Sequence, residues 1–214
     1  EQHATRLATV ADLRAAQVGQ WVQERLAHVR FASTSQLWAE LLMRWNRSQD
    51  TAARQQLLSR MIEMRNAFGD QEVALLDGEG RWLLEEAGPE LKAAVLRATS
   101  TGQVTHTDFY ALPEANGATV MDMVAPLRQT GVPAQAAVAF RLQFQQALDP
   151  QLKAWPVPSR SGRTVLLRRV GDTLISARRS TPVPISSPDL LAAQVLRGEA
   201  PLGSLLEGRD ADGV

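Results

Sequence analysis

The stretch from Thr5 to about Phe31 constrains this chain more than any other. Leu7, Ala11, Ala15, Val18, Val22, Leu26 and Val29 recur at steps of three and four. The average step is about 3.67 residues, the period of an almost straight helix with one sustained apolar stripe. Val10 and Trp21 widen the stripe on one flank, while Gln23, Glu24 and Arg30 lie away from it. Only Gly19 interrupts the pattern, at a cost of about 1 kcal/mol relative to Ala. A helix of roughly 25 residues is about 38 Å long, longer than a compact domain needs for its own core. Two uses fit the stripe. It is a core-forming face, or it belongs to a stalk that runs alongside a domain and carries a mechanical signal away from it.

A chain of 214 residues suffices for one large domain or two small ones. Its 44% apolar and 21% charged content is that of an ordinary folded protein. The 23 basic side chains equal the 23 acidic ones. This balance argues against a nucleic-acid partner, whose affinity rests on many phosphate contacts, and gives no support to an anionic membrane surface as partner. With no cysteine in the sequence, disulfides, thiolate zinc sites and cysteine nucleophiles all drop out. No apolar run reaches the roughly 18 residues of a membrane span, and no signal-peptide pattern is present. The sequence opens at Glu1 already inside a helical pattern, and so reads as a segment of a longer protein.

Ser33, Thr34 and Ser35 offer N-caps for a second helix carrying Leu37, Trp38, Leu41, Leu42 and Trp45. Asp50 caps a third that runs to Ala67 and is stopped by Gly69. The period then changes. Glu72 to Asp77 predicts a buried strand, Asp77-Gly-Glu-Gly80 a hairpin turn, and Arg81 to Glu85 the returning strand. The glycines of that turn lack the third glycine and following helix of a phosphate loop. Pro89 opens a short helix that Gly102 closes. Gln103 to Tyr110, Thr119 to Leu127 and Ala134 to Phe144 predict three more strands. The expected plan is α+β: a long N-terminal helix, then a lobe with a five-stranded antiparallel sheet and helices on one face. Trp155 to Gly162 is a proline-rich linker, and hairpin strands at 164–168 and 173–176 and a helix from Pro188 to Leu196 follow it. These predict a smaller second α/β lobe whose further strands are missing or supplied otherwise. The expected divisions are residues 1–70, 71–150 and 151–214.

The runs ATVADLRAAQVGQWVQERLAHV (8–29), EVALLDGEGRWL (72–83), VMDMVAPLR (120–128) and LDPQLKAWPVPSRSGRTVLLRRVGD (148–172) resemble the extracytoplasmic sensor region of bacterial transmembrane receptors. These are the double Cache (PAS-like) domains that precede histidine-kinase or diguanylate-cyclase modules. The resemblance covers nearly the whole chain. It implies a periplasmic, membrane-anchored receptor segment. Such a receptor has a membrane helix ahead of Glu1, a distal ligand-binding lobe, a proximal lobe and a cytoplasmic output domain. The last strands of the family's proximal lobe have no counterpart before Val214.

No His-Glu-x-x-His, Gly-x-Ser-x-Gly or Walker-type sequence is present. The expectation is a non-enzymatic module without metal or cofactor. His3, His28 and His106 form no recognisable zinc set, and nothing marks Asp108 or Asp122 as a nucleophile or base. A ligand pocket is the better use of these residues. Asp122 stands alone among apolar neighbours in Val120-Met-Asp-Met-Val124. A buried unpaired carboxylate costs several kcal/mol, so a cationic ligand group, a backbone donor or an arginine such as Arg65 or Arg128 must answer it. The resemblance places an aspartate in the corresponding strand, and puts Asp108 and Tyr110 at the pocket rim. Tyr110, the single tyrosine, has a hydroxyl suited to orienting a polar ligand, or else packs over the Pro113 loop. Arg65 either meets a ligand carboxylate or lies on a solvated helix face. The arginines between Arg160 and Arg179 lack the interleaved aromatics of a nucleic-acid site. The expected partners are a small-molecule ligand and a second copy of the chain, paired through the long helix. The alternative is a scaffold that binds a periplasmic protein without a small-molecule pocket.

Overall fold

The computed structural model describes residues 2–68, 72–77, 87–112, 117–128, 134–153, 164–178, 182–187, 190–204 and 206. The chain forms two compact units. One gathers residues 1–21, 109–119 and 144–214; the other gathers 22–108 and 120–143.

The opening pattern becomes one continuous helix, α1 (Gln2–Ser33). Its buried line is not the predicted stripe. Val10, Arg14, Trp21, Val29 and Ala32 are buried, whereas Leu7, Ala11 and Ala15 are exposed and Val18, Val22 and Leu26 half-buried. The helix buries the flank that Val10 and Trp21 mark. Small Ala11 and Ala15 remove little apolar surface from water, and Trp21 removes far more.

In the second unit, α2 (Gln36–Ser48) and α3 (Thr51–Phe68) pack on one another, and α3 packs on β1 (Glu72–Asp77). Ser35 precedes α2 with no side-chain cap. Asp50 does cap α3: its Oδ1 accepts the N–H groups of Ala52 (2.9 Å) and Ala53 (3.0 Å). The Ala53 N–H and the Arg44 guanidinium hold this carboxyl below its usual range. Pro89 begins α4 (Pro89–Thr101), and Gly102 ends it in the left-handed region at φ 64°.

The main sheet contains β1, β2 (Thr105–His106), β3 (Tyr110–Leu112), β4 (Ala118–Pro126) and β5 (Ala136–Gln143). Its order is β1-β5-β4-β2, with β3 also paired to β4. The predicted strand from Gln103 to Tyr110 is thus two short ones. Between them the Thr107 hydroxyl, not a carbonyl, accepts the Asp122 N–H at 2.9 Å, so a side chain takes a place in the ladder. The predicted strand over 81–85 and its hairpin turn lie outside the described residues, as do the 155–162 linker and the far end of the chain. Ala74, Leu76, Val124, Ala137 and Ala139 meet Leu91, Ala94, Val95 and Ala98 of α4 in one dry cluster. Alternation along the strands therefore assigns the even positions of β1 and β4 and the odd positions of β5 to the α4 side.

In the first unit, the short helices α5 (Phe144–Ala147) and α6 (Asp149–Lys153) precede a small antiparallel sheet. Its order is β6 (Leu167–Val170), β7 (Thr173–Ser176), β8 (Pro182–Pro184). From the sequence, Pro182, Pro184 and Pro188 predict a loop after β7, but the structure has the strand β8 over Pro182–Pro184. Proline cannot donate to a ladder, yet it is tolerated at a sheet edge, and Pro182 and Pro184 lie opposite Ile175 and Thr173 there. Leu174, Ile185, Leu190 and Ala193 form the core of this part, with α7 (Leu191–Leu196) contributing Ala193.

Candidate functional site

The candidate site begins with Asp122 of β4, whose side chain is fully shielded from solvent. It lies two residues before Val124, and so on the α4 side of the sheet. Register places Arg141 of β5 directly opposite Asp122, and Glu72 of β1 directly opposite Arg141. The three side chains form one row across neighbouring strands, one step beyond the apolar row of Ala74, Ala139 and Val124.

Arg141 donates to Asp122 through Nε (2.9 Å to Oδ1) and Nη2 (3.3 Å to Oδ2). Its Nη1 stands 3.7 Å from Glu72 Oε2. Burial falls along the row, with side-chain exposures of 1% for Asp122, 21% for Arg141 and 65% for Glu72. Two hydrogen bonds to a charged acceptor in so sheltered a place are the strong kind. The backbone around Asp122 is fixed as well: its carbonyl accepts the Thr107 N–H at 2.9 Å. Arg97 of α4 donates to the His106 carbonyl at 3.1 Å and so ties that helix to β2.

The charge that answers Asp122 therefore comes from Arg141. Arg65, in the last turn of α3, is exposed, and Arg128, just past β4, is exposed too. Asp108 is exposed between β2 and β3, while Tyr110 is buried at the start of β3. Arg141 escaped sequence reasoning, although one signal was there: a single charge in the apolar run Ala136 to Leu142. It is the same isolation that marked Asp122.

Chemically, the row is an arrangement of opposite charges. Asp122 and Arg141 neutralise one another, and no serine, cysteine or histidine stands in the row as a nucleophile or base. The outer edge of the Arg141 guanidinium faces an exposed carboxylate at 3.7 Å, a contact too long for a close hydrogen bond.

No protein-family model matches the chain, and no curated protein matches it. Solved structures do. The chain is similar to the extracellular domain of vpHK1S-Z8, assigned as a histidine kinase, with 12% identity and a TM-score of 0.50 over 82% of this chain and 85% of that one. Two ligand-binding domains of amino acid chemoreceptors from Pseudomonas aeruginosa PAO1 follow at lower TM-scores. PctB in complex with L-Gln gives 0.45 at 21% identity, over 68% of this chain and 56% of that one. PctC in complex with GABA gives 0.46 at 15% identity, over 82% and 92%. At such identities the likeness is one of fold: a long N-terminal helix with further helices and an antiparallel sheet, as in an extracellular sensor domain.

Proposed function

We propose that this chain is the extracytoplasmic ligand-sensing module of a membrane-anchored signalling receptor, with residues 71–150 as the ligand-binding lobe and residues 151–214 as the membrane-proximal one. The sensor-domain fold supports this reading. The observation that carries it is the half-sheltered Arg141, which donates to buried Asp122 on one side and stands 3.7 Å from the exposed carboxylate of Glu72 on the other. A fixed guanidinium of this kind suits a ligand carboxylate, which would take the place of Glu72. Among the four residues first singled out, Asp122 is the one this reading uses, as the group that orients Arg141. Ligand binding would shift the sheet by small amounts, and α1 would pass the shift to a kinase or cyclase in the cytoplasm. The exposed line of Leu7, Ala11 and Ala15 on α1 supports pairing with a second copy of the chain.

A thermal-shift screen of the chain against amino acids, organic acids, polyamines and nucleobases tests the reading. A ligand at about 100 times its Kd adds roughly 2.7 kcal/mol of stability. The expected hit carries a carboxyl group, disappears in Asp122→Ala and tightens in Glu72→Gln, a variant that keeps the buried pair. No hit across the panel, from a protein that unfolds cooperatively, overturns the small-molecule reading in favour of a protein-binding scaffold.

A further inference from the structure

A second constellation lies in the same compact unit and shares no residue with the Asp122 row. A cleft of about 670 Å³ is lined by Arg30, Ser33, Thr34, Gln36, Gln103, Val104 and Arg128. That volume falls in the range of roughly 300–1,000 Å³ usual for small-molecule sites. The lining comes from three places: the last turn of α1 with the start of α2, the residues between α4 and β2, and the residue that follows β4 by two positions.

The charge of this lining is one-sided. Among the described lining residues two are arginines and none is acidic, in a chain whose total charge is zero. Local surplus here does not reflect a generally basic surface. Among the described residues five arginines take carboxylates: Arg44 binds Asp50, Arg60 binds Glu63, Arg141 binds Asp122, Arg178 binds Asp149 and Arg197 binds Glu199. Arg14, Arg97 and Arg169 donate to backbone carbonyls instead. Arg30 and Arg128 have no carboxylate partner among the described residues.

Arg128 is also positioned. Its guanidinium lies over Gly102, with Nη2 3.5 Å from where a Cβ would stand, and the φ of +64° there suits glycine. The hydroxyls of Ser33 and Thr34 donate to the carbonyls of Arg30 and Phe31, at 2.6 and 2.8 Å. They quiet the negative end of α1, so the donors of the cleft include the guanidinium groups of Arg30 and Arg128 and the amide of Gln103.

We infer that this cleft binds a small oxyanion, a carboxylate or phosphate group held between Arg30 and Arg128. Bound there, it joins the end of α1 to the sheet through the residue beyond β4, and so bears on the helix that leaves the unit. The inference is independent of the ligand reading for Arg141.

Calorimetric titration of the whole chain with sodium phosphate and with sodium succinate, against sodium chloride at equal ionic strength, tests it. The expected result is saturable binding of at least one anion. Arg30→Gln or Arg128→Gln should weaken it about tenfold or more each, the double variant should abolish it, and Arg60→Gln, at an exposed arginine outside both sites, should leave it unchanged. Both arginines are exposed, so the variants should fold, and a thermal melt of each checks that. Preference for phosphate assigns a phosphate ligand; preference for succinate assigns a carboxylate one. Absence of saturable binding up to about 20 mM of either anion, or binding of both anions undiminished in the double variant, overturns the inference; succinate binding that remains there and is lost on Arg141→Met belongs to the Asp122 row and not to this cleft.

Discussion

Asp122 and Asp149 are both shut away from solvent and both face an arginine, but the two clusters have opposite charge balance. In the main sheet a single guanidinium, Arg141, serves two carboxylates, Asp122 at 2.9 Å and Glu72 at 3.7 Å. In the first unit a single carboxylate, Asp149, gathers two cations, Arg178 at 2.5 Å and Lys153 at 2.8 Å. The first partnership is made by strand register between residues 19 apart, and the second by a helical turn and a chain return from 29 residues away. In each cluster the lone charge is the one whose loss leaves a sheltered opposite charge unanswered. The outer members reach water and matter less.

The largest effect is therefore expected at Arg141. Arg141→Met keeps the stem of the side chain but strips the guanidinium from a carboxylate that is wholly buried. Breaking a buried pair from one side costs about 3–5 kcal/mol. Urea denaturation should register a loss of that order. Adding Asp122→Asn to the same chain should return a large part of it, because the uncompensated charge is then gone. A loss below about 1 kcal/mol in the single variant, the level of an exposed pair, would mean that the row is no tighter than a surface contact.

Asp149→Asn should rank second, at about 2 kcal/mol. The cations it leaves behind are better hydrated than Asp122 would be: the Arg178 and Lys153 side chains are 26% and 67% exposed. Burial pushes the Asp149 carboxyl up, but hydrogen bonds and charge from Lys153 and Arg178 outweigh it and hold the group below its usual range. Its contribution to stability is then complete above the unfolded value of about 3.9 and is lost as pH falls through the lower folded value. Acid titrations of stability should show a shallower fall below about pH 4 in the Asn variant than in the parent chain. Parallel curves would show that Asp149 holds no depressed carboxylate.

The contrast between the clusters also marks what was legible in the sequence. The isolation of Asp122 among apolar residues was visible, and its need for a partner followed from the cost of a buried charge. The identity of the partner was not visible. Arg65 and Arg128 were named by their position along the chain, whereas Arg141 became the partner through the register of β4 and β5. The long helix, the Asp50 cap, the Pro89 start and Gly102 stop of α4, and strands β1, β4 and β5 were readable to within three residues. Each of these rests on local chemistry. The face of α1 that is buried was misjudged, because counting apolar positions gave Ala11 and Ala15 the same weight as Trp21. Strand β8 was missed because its two prolines read as a loop, and its edge position is a tertiary fact.

The smallest effect is expected at Glu72, the outer carboxylate of the main row. Its side chain is 65% exposed and sits 3.7 Å from Arg141, the geometry of a surface ion pair that salt screens and side-chain entropy offsets. Glu72→Gln should change stability by less than about 0.5 kcal/mol in urea denaturation, and less still at high salt. This near-silence separates the two halves of the row. If Arg141 is held by Asp122, removing Glu72 leaves the guanidinium where it is and uncovers its outer edge. A loss above about 1 kcal/mol would instead mean that Glu72 shares in positioning Arg141. Its displacement by an incoming carboxylate would then cost stability in the sheet itself, and the 3.7 Å contact with Glu72 could no longer be what distinguishes this cluster from the one at Asp149.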